Sequence, residues 1–395
     1  MTLAQSVLAG YDRIERWQED LYRDLHRHPE LSMEERRTCD VVAHHLAEWG
    51  YEVQRIGGGV VGTLARGEGP TVLFRADMDA LPVQEATGLA YASAAPGVMH
   101  ACGHDVHVAC ALGAARLLAE SNAPWAGTYV ALFQPGEETA AGAASMLDDG
   151  LTDLVPAPAV ALGQHVLSGE AGTVATAPGP VLSAGDSIRI TVFGDGSHGA
   201  MPHLGVDPVV LASSIVMRLQ TVVAREIAPG DFGVVTVGSI RAGTKSNIIP
   251  DTAELLVNVR TYADSVRITV LDAIERIVRG ECATAGSPNP PVFEYYDQFP
   301  LTDNDEATTS RISEAFARHF GEDRVQRMEP VPASEDFSRI PDAWGAPYAY
   351  WGLGGFAPDQ RVVANHNPAF APTMQPTLRT GTEAAVVAAL AHLAG

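Results

Sequence analysis

The sequence predicts an α/β fold: a mostly parallel sheet with helices on both faces, interrupted by an inserted α+β domain. Three observations carry this. Apolar runs of strand length (71–76, 127–133, 159–165) alternate with segments of helical period. Each run leads into a polar residue of ligand or acid–base type rather than into a tight turn. From about Ser183 to Pro291 the texture changes to two-residue alternation, the mark of strands with one exposed face. The boundaries are drawn at 1–183 and 292–395 for the main domain and 184–291 for the insert.

In chain order, Ile14, Trp17, Leu21 and Leu25 recur at three- and four-residue spacing, predicting a helix from Tyr11 to Arg27. Pro29 ends it, because proline disfavours helical angles in the residue before it. A second helix is expected from Glu34 to Trp49, stopped by Gly50. Strands at 51–55 and 60–65 flank Gly57-Gly58-Gly59, and the buried-type strand 71–76 runs into Asp77-Met78-Asp79. A helix should span Asp105–Glu120, and the strand 127–133 should end at Gln134-Pro135-Gly136-Glu137-Glu138. The strand 159–165 delivers His165 at its end, so three strand ends present Asp79, Glu137-Glu138 and His165. Ligands in open α/β sheets bind at such ends.

Within the insert, 186–193, 233–240 and 253–260 alternate as strands, while 207–225 and 266–279 are helical. Beyond Pro291 the α/β texture returns, with a strand at 292–295, a helix at 306–320, a strand at 348–351 and a closing helix at 377–394.

Composition narrows the functional classes. Of 395 residues, 46% are hydrophobic and 19% charged, as in a globular protein. The net charge of −22 argues against nucleic acid or an anionic membrane as partner, since both require basic patches. No signal peptide and no uncharged membrane-length apolar run is expected. The four scattered cysteines show no disulfide spacing, which predicts a reduced, cytoplasmic setting.

The densest chemistry lies in Met99-His100-Ala101-Cys102-Gly103-His104-Asp105-Val106-His107. A thiolate and an imidazole are good ligands for zinc and similar metals, and Gly103 permits a turn that aims both at one point. Glu137 and Glu138 are adjacent; in an extended segment their side chains point opposite ways, so one could bind a metal while the other acts as a base. Taken singly, His165 reads as a core histidine, His366 as a loop histidine and Asp79 as a helix cap. Together at the ends of one layer they point to a metal site.

Seven motifs occur in one order: Leu25 to Ser32, Arg75 to Pro82, Met99 to Asp105, Gln134 to Glu138, Ser197 to His203, Ser334 to Phe337, and Asn365 to Pro368. In these the chain resembles the metallo-amidohydrolase family of aminoacylases and metallo-carboxypeptidases, in particular the branch of hippurate hydrolases and auxin-conjugate hydrolases. The resemblance implies a catalytic metal-binding main domain and an insert that serves as lid and dimerisation domain. It implies two divalent ions per subunit, manganese or zinc with cobalt or nickel as alternatives, held by Cys102, His104, Glu138, His165 and His366. It assigns Glu137 as general base and Asp79 as the carboxylate that orients a ligand. His198 would steady the oxyanion across a homodimer, and Asn247 and Arg260 would hold the substrate carboxylate. Gln164 and Lys245-Ser246 depart from the family pattern and bear on pocket shape and substrate preference.

The expected substrate is an N-acyl amino acid or a short peptide. Two alternatives stand beside amide hydrolysis by a metal-activated water. One is a cysteine-nucleophile hydrolase using Cys102, which would leave Glu137, Glu138 and His165 idle. The other is non-enzymatic, a structural metal site or a protein that binds acyl amino acids without hydrolysing them, and the extra glutamate beside Glu138 tells against it. A dipeptidase of the same family is the nearer variant.

Overall fold

A computed structural model describes residues 2–393. The chain divides into two compact units, Met1–Val181 with Thr302–Glu329 and Asp336–Gly395, and Leu182–Leu301 with Pro330–Glu335.

The first unit is built on an eight-stranded sheet. Its strands run in the order Glu52–Ile56, Gly59–Arg66, Gly127–Gln134, Thr71–Asp77, Val160–Glu170, Tyr348–Phe356, Val174–Thr176 and Val325–Arg327. The four central strands are parallel to one another, with antiparallel pairs toward both sides. Every residue of Tyr348–Phe356 is buried, and so are six of the seven residues of Thr71–Asp77, so these strands are covered on both faces. The buried helix His104–Glu120 packs on Met374–Leu393 and on the Thr71–Asp77 strand. Ala109, Ala114, Ala385 and Ala388 are among the small residues of this core that allow close helix approach.

The helices Tyr11–Arg27 and Glu306–Phe320 span the expected residues. The latter is capped by Asp305, whose carboxylate accepts from the Thr308 amide at 2.7 Å. The second helix is shorter than its apolar period suggests, Arg36–Glu48. The closing helix is Met374–Leu393, and the expected terminal residue Ala394 lies outside the described residues.

Two differences matter for function. The strand carrying His165 does not stop there but continues to Glu170. Its pairing with Thr71–Asp77 ends at Gly163 opposite Arg75, whereas pairing with Tyr348–Phe356 persists past His165. His165 thus emerges where the sheet loses one neighbour, and not at the end of its own strand. The segment Val292–Phe299, expected in the main domain, pairs antiparallel with Ala184–Phe193 in the second unit. That unit extends to Leu301, and 292 is therefore not its boundary.

The second unit has a four-stranded antiparallel sheet in the order Gly233–Ala242, Thr252–Thr261, Ala184–Phe193, Val292–Phe299. After the exposed Thr252, the strand Thr252–Thr261 alternates between buried and half-exposed residues. Ile188, Ile190, Leu255 and Val257 pack with Ile215 and Leu219 of Pro208–Leu219 and with Val270 and Ile274 of Asp264–Ala285. The expected helix 207–225 is divided at Gln220 into Pro208–Leu219 and Thr221–Arg225. This stretch has the length and apolar composition of a membrane span, but it carries Arg218 and Arg225 and buries Leu211, Ala212, Ile215 and Leu219 in the domain core.

Candidate metal centre

Gly103 sets the geometry of the site. It lies in the left-handed region, φ +85°, directly ahead of the helix His104–Glu120, and a Cβ there would fall 2.3 Å from Val166 Cγ1. Gly103→Ala should therefore destabilise the protein by at least about 2 kcal/mol in urea unfolding, from the left-handed penalty and the overpacking together. A change below about 0.5 kcal/mol would mean that the turn relaxes freely.

The turn brings Cys102 and His104 to the place where His165 emerges. Cys102 Sγ is 3.4 Å from His165 Nε2, and ligand atoms of Cys102, His104 and His165 lie within 4.8 Å of one another. Cys102 also groups within that limit with Glu138 and His366, whose nearest carboxylate and imidazole atoms are 3.4 Å apart. The five residues expected as ligands thus form two triads that share the Cys102 sulfur. The loop bearing His366 is held by its backbone amide, which donates to the Ala101 carbonyl at 2.8 Å. His366 itself has φ +69°, a strained conformation for histidine of the kind that clusters at functional sites.

Glu137 and Glu138 are not in an extended segment, as expected, but in a 3₁₀ turn, Glu137–Thr139, between left-handed Gly136 and Ala140. Both carboxylates consequently approach the same imidazole: His104 Nε2 is 4.0 Å from Glu137 Oε2 and 3.9 Å from Glu138 Oε1. Asp79 organises this corner. Its carboxylate accepts from Ser32 Oγ at 2.7 Å, from the Glu138 amide at 3.0 Å and from His104 Nδ1 at 3.1 Å. Burial would raise the Asp79 pKa, but these three donors overcome it and hold the carboxyl below its ordinary range. An ionised carboxylate only accepts, so His104 carries a proton on Nδ1, and Nε2 is the atom it turns inward.

A divalent cation fits this donor set. Among the described residues, His104 Nε2 and Glu138 Oε1 find no hydrogen-bond partner although both are buried, a costly arrangement unless something else satisfies them. Burial would push the His104 pKa down, yet Asp77 and Asp79 drive it well up, so the site favours positive charge. One thiol, three imidazoles and a carboxylate suit zinc, manganese or a similar ion.

Residue type and spacing do not single out Asp77, His107 or Asn365, which the fold brings to the same place. Asp77 Oδ2 receives Arg75 Nη1 at 2.7 Å, and Arg75 reaches Asp336 Oδ1 at 3.2 Å. Asn365 Nδ2 donates to the Cys102 and Val166 carbonyls at 3.2 and 3.3 Å. Their partners are up to 263 residues away in sequence, beyond any local pattern.

Gln164 faces away from His165. The space beside its side-chain nitrogen is bounded by Gly381 of the closing helix, where a Cβ would come within 3.2 Å. The Gln164 side chain is therefore part of the helix–sheet interface.

Behind the centre, His26 Nδ1 is 2.6 Å from Asp105 Oδ2 and its Nε2 is 3.3 Å from Glu85 Oε1. Burial alone would lower the His26 pKa, but Asp105 and Glu85 raise it from 6.5 to about 10. A group whose pKa is higher folded than unfolded contributes stability fully below the unfolded value and loses it as pH rises through the folded one. Between pH 6.5 and about 9.5, the wild type should lose more stability in urea unfolding than His26→Gln. Equal losses would remove this ion pair as a source of stability.

The other three expected site residues lie in the second unit. His198 and Asn247 are neighbours there: Ser197–His198 pairs with Ile248–Ile249, and the Gly199 amide donates to the Asn247 carbonyl at 2.9 Å. Both side chains are exposed, and Lys245 and Ser246 lie in the same exposed loop as Asn247. Arg260 is half-buried on Thr252–Thr261, donating from Nε to Asn258 Oδ1 at 3.0 Å and from Nη1 to Ser334 Oγ. Burial lowers the Arg260 pKa and the Asp186 carboxylate partly opposes this. The structure thus brings the five ligand candidates, Glu137 and Asp79 together in the first unit.

The sequence profile of Peptidase family M20/M25/M40 matches residues 73–391. An N-acetyl-L-cysteine deacetylase of Bacillus subtilis is 38% identical over 339 residues, covering 84% of this chain and 79% of that protein. The hippurate hydrolase of Campylobacter jejuni is 36% identical, covering 84% and 87%. Among solved structures, a dinuclear metal-binding peptidase of Bacillus subtilis superimposes with a TM-score of 0.81 at 31% identity, covering 97% of this chain and 99% of that one.

Proposed function

Because the chain belongs to Peptidase family M20/M25/M40, we propose that it hydrolyses the amide bond of N-acyl amino acids, using two divalent ions held by Cys102, His104, His165, Glu138 and His366. The observation that carries this reading is the sharing of Cys102 between two ligand triads with a further carboxylate, Glu137, alongside. The deacetylase and the hippurate hydrolase, named for acylated amino acids, support the substrate class.

When bound, the ions supply Lewis acidity that lowers the pKa of water and polarises the amide carbonyl. Glu137 takes a proton from the attacking water as the new carbon–oxygen bond forms. It then returns that proton to the amide nitrogen as the carbon–nitrogen bond breaks, giving a carboxylic acid and an amino acid. Asp79 holds His104 in the tautomer whose Nε2 is free to bind. His198 is assigned to the oxyanion and Asn247 and Arg260 to the substrate carboxylate. Arg260 donates to the neutral Asn258 and Ser334 side chains, which leaves its charge available for such a pairing.

We assign a homodimer formed through the second unit. Gly233–Ala242 is an edge strand that exposes Val234 and Ile240, and Pro208–Leu219 exposes Val209, Val210 and Met217. Unpaired edge groups beside an apolar surface favour pairing with a second copy. All four cysteines are free and buried, in keeping with a reducing cytoplasm.

The test is a screen of N-acetyl amino acids, N-benzoyl amino acids and dipeptides with protein reconstituted with manganese or zinc. Turnover of N-acyl amino acids that is lost to a strong chelator is the expected result. Dipeptides alone as substrates would favour the dipeptidase variant. Activity that survives the chelator but not thiol alkylation would favour a Cys102 nucleophile.

A further inference from the structure

His107 is an imidazole at this centre that neither ligation nor proton transfer employs. It lies one turn along the helix from His104, buried, with its ring centroid 4.6 Å from that of His165. Both ring nitrogens are occupied. Nε2 is 2.9 Å from the Val166 amide nitrogen, and Nδ1 is 2.5 Å from Asp77 Oδ1. A backbone N–H can only donate, so Nε2 must be the bare nitrogen and Nδ1 must carry the hydrogen that goes to Asp77. No lone pair is left for a metal, although Asp77, His104 and His107 are close enough together to suggest a further ligand cluster.

We propose that His107 is a positioning residue of the metal centre, acting through the Val166 peptide. Val166 is the point at which the ligand-bearing segments meet. Its amide is held by His107; its carbonyl lies 2.9 Å from His165 Nδ1 and accepts from Asn365 Nδ2 at 3.3 Å; its side chain fills the space that Gly103 leaves open. The His165 Nδ1–H donates to that carbonyl, which leaves Nε2 to face Cys102. Asn365, next to His366, also donates to the Cys102 carbonyl. His107 itself is anchored by Asp77, which the buried Arg75 ties to Asp336. One buried imidazole therefore fixes the peptide that orients His165 and joins the loops carrying Cys102 and His366. Outer partners of this kind alter metal affinity when they are removed.

The inference rests on the metal-centre reading above, and its test separates the two. Glutamine can place an acceptor near the position of Nε2, and asparagine can keep only a donor near that of Nδ1. Metal-free wild type, His107→Gln and His107→Asn are titrated with zinc against a chromophoric chelator, with thermal melts of each metal-free protein alongside. The asparagine variant should bind zinc about 10- to 100-fold more weakly, and the glutamine variant should recover most of that loss. Equal affinities in all three, or equal losses in both variants, would overturn the role of the Val166 contact. Should the variants not fold, ¹⁵N NMR of histidine-labelled, metal-free wild type reads the tautomer directly. A protonated Nδ1 and a bare Nε2 on His107 are expected, and a proton on Nε2 would overturn the proposal. Absence of zinc binding by the wild type itself would instead reject the metal-centre reading.

Discussion

Glu137→Gln should keep its metal and lose about 10²- to 10⁴-fold in kcat, the range that a positioned general base contributes. The substitution preserves the size and the planar end of the side chain and removes only the ability to accept a proton. Glu137 is 5% exposed, so little bulk water is at hand to replace it as base. Its neighbour provides the control. Glu138 has a buried, unpartnered oxygen toward His104 and its other oxygen 3.4 Å from His366 Nε2, so Glu138→Gln should lower metal content as well as rate. If Glu137→Gln kept more than about a tenth of the activity, the role of base would have to pass elsewhere.

Cys102→Ser is expected to affect both ions, because Cys102 is common to both triads. Elemental analysis should find well below two metals per chain, where loss of His165 or His366 alone should weaken one site more than the other. A serine hydroxyl is a poor substitute for a thiolate as a ligand to zinc. The thiol also links binding to pH. Burial and the Glu138 carboxylate push its pKa up, and the Cys102 and Glu138 contacts raise that of His366 to about 10. Both must shed a proton to bind, so metal affinity should fall as pH falls. Wild-type stoichiometry in the serine variant would take Cys102 out of the ligand set.

The helices Tyr11–Arg27 and Glu306–Phe320 were legible because their apolar period is unbroken and their ends carry local stop or cap signals. The sheet to which Val292–Phe299 belongs was not, since its pairing with Ala184–Phe193 joins segments about a hundred residues apart. The ligand candidates stood out by residue type, as thiol, imidazole and carboxylate side chains following apolar runs. The conformation of Glu137-Glu138 did not, because two left-handed residues around the pair override the extended geometry that a strand end suggests. Asp77 and His107 were hidden differently. Their meaning lies in partners such as Arg75, Asp336 and the Val166 amide, which only the folded chain supplies. A histidine three residues after a candidate ligand, on the same helix face, was the one available hint.

The most direct measurement is anomalous diffraction from crystals reconstituted with manganese. Two peaks in each chain are predicted, one bounded by Cys102, His104 and His165 and the other by Cys102, Glu138 and His366. A single peak, or peaks out of bonding reach of the Cys102 sulfur, would contradict the shared-ligand centre on which the proposed hydrolysis depends.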